Sequence, residues 1–463
     1  MEHPSSDVTA PQGSRRESRR RADEDESFMH YVMHNHNLCL MALLIVGLFT
    51  VVGAGAAIVA AVVEHFWTSI NDADPSLRAV AAGGSVRGHR QDGGMADVQV
   101  SMQQQFGSHT IMCFVNHSLP SGSPYRFDVD NASAILCDAL VFVSVGLNVQ
   151  QKDLRFKKPV EDSETLQRMA SLPTAVWACV GGEATDSPDF RALVLYKSSR
   201  LEFVRNAAAW SRRMGLAGLV LYWKYPTLED RSDYSAFVNT MRLTFQEEAL
   251  HVTVVVPWQT ARRRDGYYVH ALYTWLHFVV VDTHQTVDPT SFPVTTCQSP
   301  MRAVFRARHN GQLGLSSVLD ELSMVTEHKL GKTMLSVSFA GATFTLKRPR
   351  MRSARVGSTA FGPGRPFRHT NTSGLVSYYE VTQALVRNAS TWSRETHGFS
   401  RCSVAHSKDQ WIGFEDRASL RSKRSLVRKT AGLAVWDLPM DDFAGDYGPT
   451  WPLLREVYHL VHS

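Results

Sequence analysis

The sequence predicts an α/β protein: a closed (β/α)8 TIM barrel with an insertion, preceded by a single transmembrane helix. Eight short apolar runs follow residue 108, and they lack the period-2 alternation of strands that are buried on one face only. Spacers of helix length separate them, which indicates parallel βα units. A long uncharged segment also lies near the amino terminus.

The eight runs are the predicted barrel strands, and eight βα units over roughly 350 residues fit a closed barrel with an insertion. One spacer, residues 201–214, has Phe203, Ala207 and Trp210 on one face, as expected of a helix that covers a sheet. An open doubly wound sheet is the competing fold, but no glycine-rich dinucleotide loop supports it. The runs are residues 110–115, 139–145, 175–180, 216–222, 252–256, 278–281, 334–339 and 432–436.

Residues 38–63 form the predicted membrane span. These 26 residues contain no charged side chain, and Glu64 ends the run. A bilayer core needs about 20 helical residues, so the run is long enough to cross it. A cleaved signal peptide is the competing interpretation, but 37 polar residues precede the run, too many for such a leader. We therefore expect an uncleaved signal anchor.

Charge on the two sides of the span predicts its orientation. Five arginines precede it, whereas the first lysine or arginine after it is Arg78, and positive residues are retained in the cytosol. Residues 1–37 are polar enough to predict a disordered cytoplasmic tail, and residues 64–107 a flexible stalk. The barrel, residues 108–463, should then be extracellular or lumenal. The five arginines are Arg15, Arg16, Arg19, Arg20 and Arg21.

Four glycosylation sequons agree with this type II orientation, because all of them follow the span. Their asparagines are Asn116, Asn131, Asn371 and Asn388. The formal net charge of +5 is too small to indicate a nucleic-acid partner. The spacing of the six cysteines matches no metal-binding or redox pattern, so we expect neither a metal nor a cofactor.

The most informative stretch is GLAGLVLYWKYP, residues 215–226. It resembles the signature strand of family 18 chitinases, DGxDxDWEYP, which closes the fourth barrel strand. Further stretches resemble the family in the same order over residues 108–463, including CFVN from Cys113, CDAL from Cys137 and the final strand that ends at Trp436. The resemblance implies that the insertion, at about residues 347–409, is a small α+β domain.

The resemblance also implies that the catalytic acids of the family are absent. The three aspartates of the signature fall on Ala217, Val220 and Tyr222, and the proton-donating glutamate falls on Lys224. Family 18 enzymes use the acetamido oxygen of the substrate as nucleophile while one glutamate protonates the leaving oxygen. An ammonium at that position opposes the cationic transition state. We therefore expect a pseudoenzyme without chitinase activity.

Sugar binding is a separate question, because aromatic faces and hydrogen bonds hold a sugar without a catalytic acid. The resemblance places Trp436 at the floor of the sugar groove. Trp223 and Tyr225 are sugar-binding candidates that serve equally well as barrel packing. The expected ligand is chitin or another N-acetylglucosamine-containing glycan.

The resemblance further implies a disulfide between Cys113 and Cys137. A bridge between Cys297 and Cys402 would leave Cys179 free on its strand, but the sequence does not decide that pairing. Two other functions stay open. One is a residual or altered glycosidase in which Glu183 or Asp282 replaces the lost acid; the other is a growth-factor-like or scaffolding protein with a protein partner and no sugar ligand.

Overall fold

The computed structural model describes residues 109–116, 127–131, 136–261, 266–284, 289–304, 313–348 and 355–462. The predicted tail, membrane span and stalk lie outside these residues. Within the ranges given, no helix has both the length and the apolar character needed to cross a bilayer.

Eight parallel strands form a closed barrel, as the sequence predicts. They pair in the order β1, β2, β4, β5, β6, β7, β8 and β15, and β15 pairs with β1 to close the ring. A short strand, β3 (Asp153–Phe156), pairs antiparallel with the last residues of β2. The barrel strands are β1 (Thr110–Asn116), β2 (Ala139–Asn148), β4 (Ala175–Gly181), β5 (Gly218–Tyr222), β6 (His251–Pro257), β7 (Val279–Asp282), β8 (Thr333–Ser338) and β15 (Gly432–Trp436).

Alternate residues of these strands face opposite sides, and both sides are buried. Phe114, Trp177, Val220 and Met334 belong to the cluster inside the barrel. Their strand neighbours pack outward against the helices. Because both faces of each strand are buried, the strands appear in the sequence as continuous apolar runs.

Helices cover the outside of the barrel. The predicted amphipathic helix is α3, where Phe203, Ala207 and Trp210 are all buried. Among the described residues, the helices around the barrel are α1 (Pro159–Ala170), α2 (Ser187–Val194), α3 (Lys197–Arg213), α4 (Arg231–Glu247), α5 (Val269–Trp275), α6 (Leu315–Val325), α8 (Arg417–Arg421), α9 (Arg424–Val427) and α10 (Pro452–Val461), whereas α7 (Tyr378–Arg387) packs against the second sheet.

A second, antiparallel sheet lies between β8 and β15 in the chain. Only Phe339 separates barrel strand β8 from β9, the first strand of this second sheet. The strands of the second sheet pair in the order β10-β9-β14-β13-β12, and β11 also pairs with β9. Helix α7 begins at a capping box in which Ser377 and Glu380 exchange side-chain to backbone hydrogen bonds. The strands are β9 (Ala340–Leu346), β10 (Ala360–Pro363), β11 (Leu375–Ser377), β12 (Ser393–His397), β13 (Cys402–Ser407) and β14 (Gln410–Phe414).

Two disulfides join cysteines within the residues that the structure describes. Cys113 and Cys137 are joined, as the resemblance implies, with their Cα atoms 6.0 Å apart. Cys297 and Cys402 form the second bond, which ties the second sheet to the segment after β7. Cys179 is the free cysteine of the described residues, and burial raises the pKa of its thiol to about 12. The thiol is therefore protonated and unreactive at neutral pH.

Candidate functional site

The carboxyl ends of the barrel strands form one end of the barrel, which we call the mouth. Asn116, Glu183, Lys224, His284 and Trp436 lie at or just beyond the ends of five different strands there. Active and binding sites of parallel barrels lie at this end, because the loops that follow the strands converge there. The mouth is therefore the candidate site.

Strand β5 brings the signature segment into the barrel. Val220 and Tyr222 face the interior and are fully buried, whereas Ala217 precedes the strand and lies at the end of the barrel opposite the mouth. The close contact with β4 requires glycine: a Cβ atom at Gly181 would lie 2.8 Å from the backbone oxygen of Tyr222. The φ of Gly181, +82°, also favours glycine.

Tyr222 anchors a buried polar network across the mouth. Its hydroxyl donates a hydrogen bond to Asp282 at the end of β7. Nδ1 of His284 lies 3.0 Å from the other carboxylate oxygen of Asp282 and 2.8 Å from Oγ of Ser336. Burial, and then the charge of Asp282, hold the pKa of Tyr222 well above its usual value. The phenol is therefore a hydrogen-bond donor at every physiological pH.

Lys224 lies next to this network and is partly exposed to the solvent. Its side chain is half-buried, and Nζ lies 5.0 Å from the centre of the Tyr222 ring. Burial lowers the pKa of Lys224, against the opposing influence of Asp282, Cys179 and Glu183. An amine thus stands at the position that the resemblance assigns to the proton donor.

Trp436 lies beside this network and is partly exposed. The Phe114 ring lies 4.1 Å from the Trp436 ring, between centroids, and the His284 ring stacks at 5.1 Å. The Tyr222 ring lies nearly perpendicular to the Trp436 ring, with 6.1 Å between centroids. Since β1 and β7 lie on opposite sides of β15 in the sheet, aromatic rings approach Trp436 from both sides.

The other two aromatic candidates have different positions. Trp223 points outward and is fully buried, where it stacks on Phe190 and donates a hydrogen bond to Ser187. Trp223 is therefore barrel packing and not a sugar contact, because it presents no face to the mouth. Tyr225 is 54% exposed, and its positive φ of 57° turns the chain out of the strand direction. Tyr225 stays a candidate.

The two carboxylates considered as replacement acids are both engaged. Glu183 accepts a hydrogen bond from Nζ of Lys157 at 2.5 Å, and that contact lowers its pKa. Glu183 is therefore ionised at neutral pH and holds no proton to donate. Asp282 is 4% exposed and accepts the hydrogen bond of Tyr222.

Asp437 was missed by the sequence reasoning. It directly follows Trp436, is 6% exposed and is hydrogen-bonded to the side chain of Asn116. Burial raises the pKa of its carboxyl to about 7, and within the described residues Oδ1 has no hydrogen-bond partner. A charged residue directly after an apolar barrel strand is a recognisable signal for a group at the mouth.

Comparison with known proteins identifies the barrel. The family model of glycosyl hydrolases family 18 matches residues 103–441, well over half of the chain. The chain belongs to glycosyl hydrolase family 18. Chitotriosidase-1 of Mus musculus is a relative, 27% identical over 398 residues that cover 78% of this chain and 80% of the relative. Chitinase-3-like protein 2 of Homo sapiens is 24% identical over 392 residues, covering 80% and 97% of the two chains.

Solved structures of family 18 proteins have the same fold. The Group IV chitinase of Ostrinia furnacalis matches with a TM-score of 0.71 at 21% identity, covering 77% of this chain and 100% of its own. Human YKL-39, described as a pseudo-chitinase with retained chitooligosaccharide binding properties, matches with a TM-score of 0.67 at 22% identity, with the same coverage. The family 18 fold thus includes enzymes and at least one binding protein.

Proposed function

We propose that this family 18 protein is a membrane-anchored, non-catalytic glycan-binding protein whose barrel faces away from the cytosol. The observation that carries the proposal is the replacement at the end of β5, where Lys224 and Tyr222 occupy the signature positions of two acids. A glycan containing N-acetylglucosamine is the proposed ligand.

The chemistry of the mouth supports the lack of catalysis. A family 18 hydrolase needs a carboxylic acid that protonates the leaving oxygen and a neighbouring carboxylate that orients the acetamide. Here Glu183 is ionised by its contact with Lys157, and Asp282 is held by Tyr222 beneath Lys224. A lysine cation beside the scissile bond disfavours the developing positive charge.

Two features support glycan binding. Trp436 is partly exposed and Tyr225 is more than half exposed, so both offer aromatic surface at the mouth. Human YKL-39, a protein of the same fold, retains chitooligosaccharide binding while being described as a pseudo-chitinase. Loss of the acids is therefore compatible with a binding site in this fold.

Titration of the full-length protein in detergent with a chitin hexamer tests the proposal. We expect saturable heat of binding and an unshortened hexamer by mass spectrometry. Trp436→Ala should weaken the affinity about two- to tenfold, since one aromatic contact contributes about 0.5–1.5 kcal/mol. Trp223→Phe is the matched control, because Trp223 points away from the mouth, and its affinity should stay at the wild-type value.

Shortened hexamer would contradict the pseudoenzyme proposal and favour a glycosidase with a substitute acid. Absence of any heat would contradict glycan binding. It would favour the second candidate, a protein-interaction module at the cell surface. The rings of Phe114 and His284 favour that candidate, because each packs against the Trp436 ring and covers part of its surface.

The proposed orientation predicts glycans on the segments that connect the strands of the second sheet. Asn371 and Asn388 are exposed there, whereas Asn116 is partly buried and its side chain contacts Asp437. We expect peptide mass spectrometry of protein from a eukaryotic host to find glycans at Asn371 and Asn388 and none at Asn116. Asn116→Gln should leave the glycan mass unchanged, and unmodified Asn371 and Asn388 would contradict a barrel on the lumenal side.

A further inference from the structure

The helical segment before the last barrel strand is strongly basic. Residues 417–429 contain four arginines, two lysines and no acidic residue. Helices α8 and α9 cover most of this range, and the two residues that connect them, Ser422 and Lys423, keep right-handed helical backbone angles. The segment therefore follows one approximately helical path toward β15.

The spacing of the four arginines places them on one side of this segment. They are separated by four, three and four positions, which is the spacing of residues on a single helix face. The opposite side is buried, because Leu420 and Val427 are 0% exposed and belong to the cluster outside the barrel. At about 1.5 Å per residue the row of arginines is about 16 Å long. The exposed arginines are Arg417, Arg421, Arg424 and Arg428.

Two carboxylates beside this segment are buried and bound to its cations. Glu456 on α10 accepts hydrogen bonds from Arg421 at 2.7 and 2.9 Å, and from Arg417 at 3.2 Å. One carboxylate thus serves two guanidinium groups, so this contact leaves one positive charge in excess. Glu415 binds Lys423 at 2.6 Å, and that pair is buried beneath the exposed side.

We infer that this arginine face, which consists of Arg417, Arg421, Arg424, Arg428 and Lys429, binds a linear sulfated polysaccharide. A guanidinium group can donate two parallel hydrogen bonds to an oxyanion. A row of such groups suits a ligand that carries oxyanions at intervals along a chain. The buried side of the helical segment fixes the row before the ligand arrives, which lowers the entropic cost of binding.

The position of the arginine face distinguishes this ligand from an anionic membrane. In the proposed orientation the barrel faces away from the cytosol, whereas the anionic lipids are concentrated in the cytoplasmic leaflet. The choice of ligand rests on that orientation. The arginine face also lies on the outer side of the barrel, so a polysaccharide bound there leaves the mouth open to the proposed glycan.

Titration of the full-length protein in detergent with heparin tests the inference. We expect saturable binding that weakens as the NaCl concentration rises, because salt screens contacts between exposed charges. Fully desulfated heparin keeps the polysaccharide chain and its carboxylates. It should bind about tenfold more weakly, since fewer ion pairs form.

A triple variant tests the arginine face itself. Arg424→Gln/Arg428→Gln/Lys429→Gln removes three exposed charges and leaves the hydrogen bonds to Glu456 in place. Its affinity for heparin should fall roughly tenfold, because each exposed ion pair lost costs about two- to threefold in affinity. Thermal unfolding checks that the variant is folded.

The matched control removes three exposed charges from another basic stretch of the chain. Lys347→Gln/Arg348→Gln/Arg355→Gln should keep the wild-type affinity for heparin. Absence of heparin binding to the wild type, or equal losses in the two variants, would overturn the inference. Tighter binding to phosphatidylserine vesicles than to heparin would overturn it too and would assign the arginine face to a membrane. Since the chitin hexamer carries no charge, this outcome is independent of the chitin titration.

Discussion

Asp437→Asn is expected to become progressively more stable than the wild type as the pH rises from about 4 to about 7. Burial raises the pKa of Asp437 from 3.8 to about 7 in the folded protein. A group whose folded pKa exceeds its unfolded pKa contributes stability below the unfolded value, and that stability is lost as the pH rises through the folded value. The neutral amide has no such penalty and keeps an oxygen that can accept from Asn116.

Between about pH 4 and about pH 7, the difference in unfolding free energy between the two proteins should change by on the order of 4 kcal/mol, since each pKa unit corresponds to about 1.4 kcal/mol. Urea unfolding of wild type and variant at several pH values measures it. Other buried groups titrate equally in both proteins, so their contributions to the pH dependence cancel in the difference. They include Asp441, whose pKa burial also raises to about 7, and His251, whose pKa burial lowers to about 4.

Asp409→Asn is the control of opposite sign, because the hydrogen bond from Arg365 lowers the pKa of Asp409. That variant should lose a little stability relative to the wild type as the pH rises through the acidic range. A stability difference for Asp437→Asn that is independent of pH would show that the Asp437 carboxyl is not held in its neutral form. Because Asp437 directly follows Trp436, this titration also reports on the environment of the residue next to Trp436 at the mouth.

The barrel was predictable because its signal is local. All eight apolar runs became barrel strands, and residues 432–436 have the same bounds in both. Strand β12 (Ser393–His397) shows where that signal fails: none of its residues is buried, and its pairing with β13 defines it. A polar strand at the edge of a sheet leaves no apolar pattern in the sequence.

The polar site was less predictable, because its residues meet only in three dimensions. Tyr222 and Asp282 are 60 positions apart, yet their side chains form one hydrogen bond. The alternation of strand β5 does distinguish Trp223 from its neighbours: if Tyr222 faces the interior, Trp223 must face outward. Asp437 carried a signal too, but no sequence pattern indicates that its carboxyl is buried.

Lys423→Met should destabilise the protein by about 3–5 kcal/mol, because it leaves a buried carboxylate without its cation. Nζ of Lys423 lies 2.6 Å from Oε2 of Glu415, and their side chains are 2% and 3% exposed. Ser419 donates a further hydrogen bond to Glu415 at 2.5 Å. The pair connects the end of β14 to the segment before β15, so it also supports the strand that carries Trp436.

The double variant Glu415→Leu/Lys423→Met distinguishes the loss of pairing from the loss of packing. Replacing both partners removes the unpaired charge, and a buried ion pair contributes little net stability over apolar side chains of similar volume. We therefore expect urea unfolding to show that the double variant recovers most of the stability lost in Lys423→Met. If the double variant were as unstable as the single one, the hydrogen bond from Ser419 and the shape of the pair, rather than its charges, would hold the connection between β14 and β15.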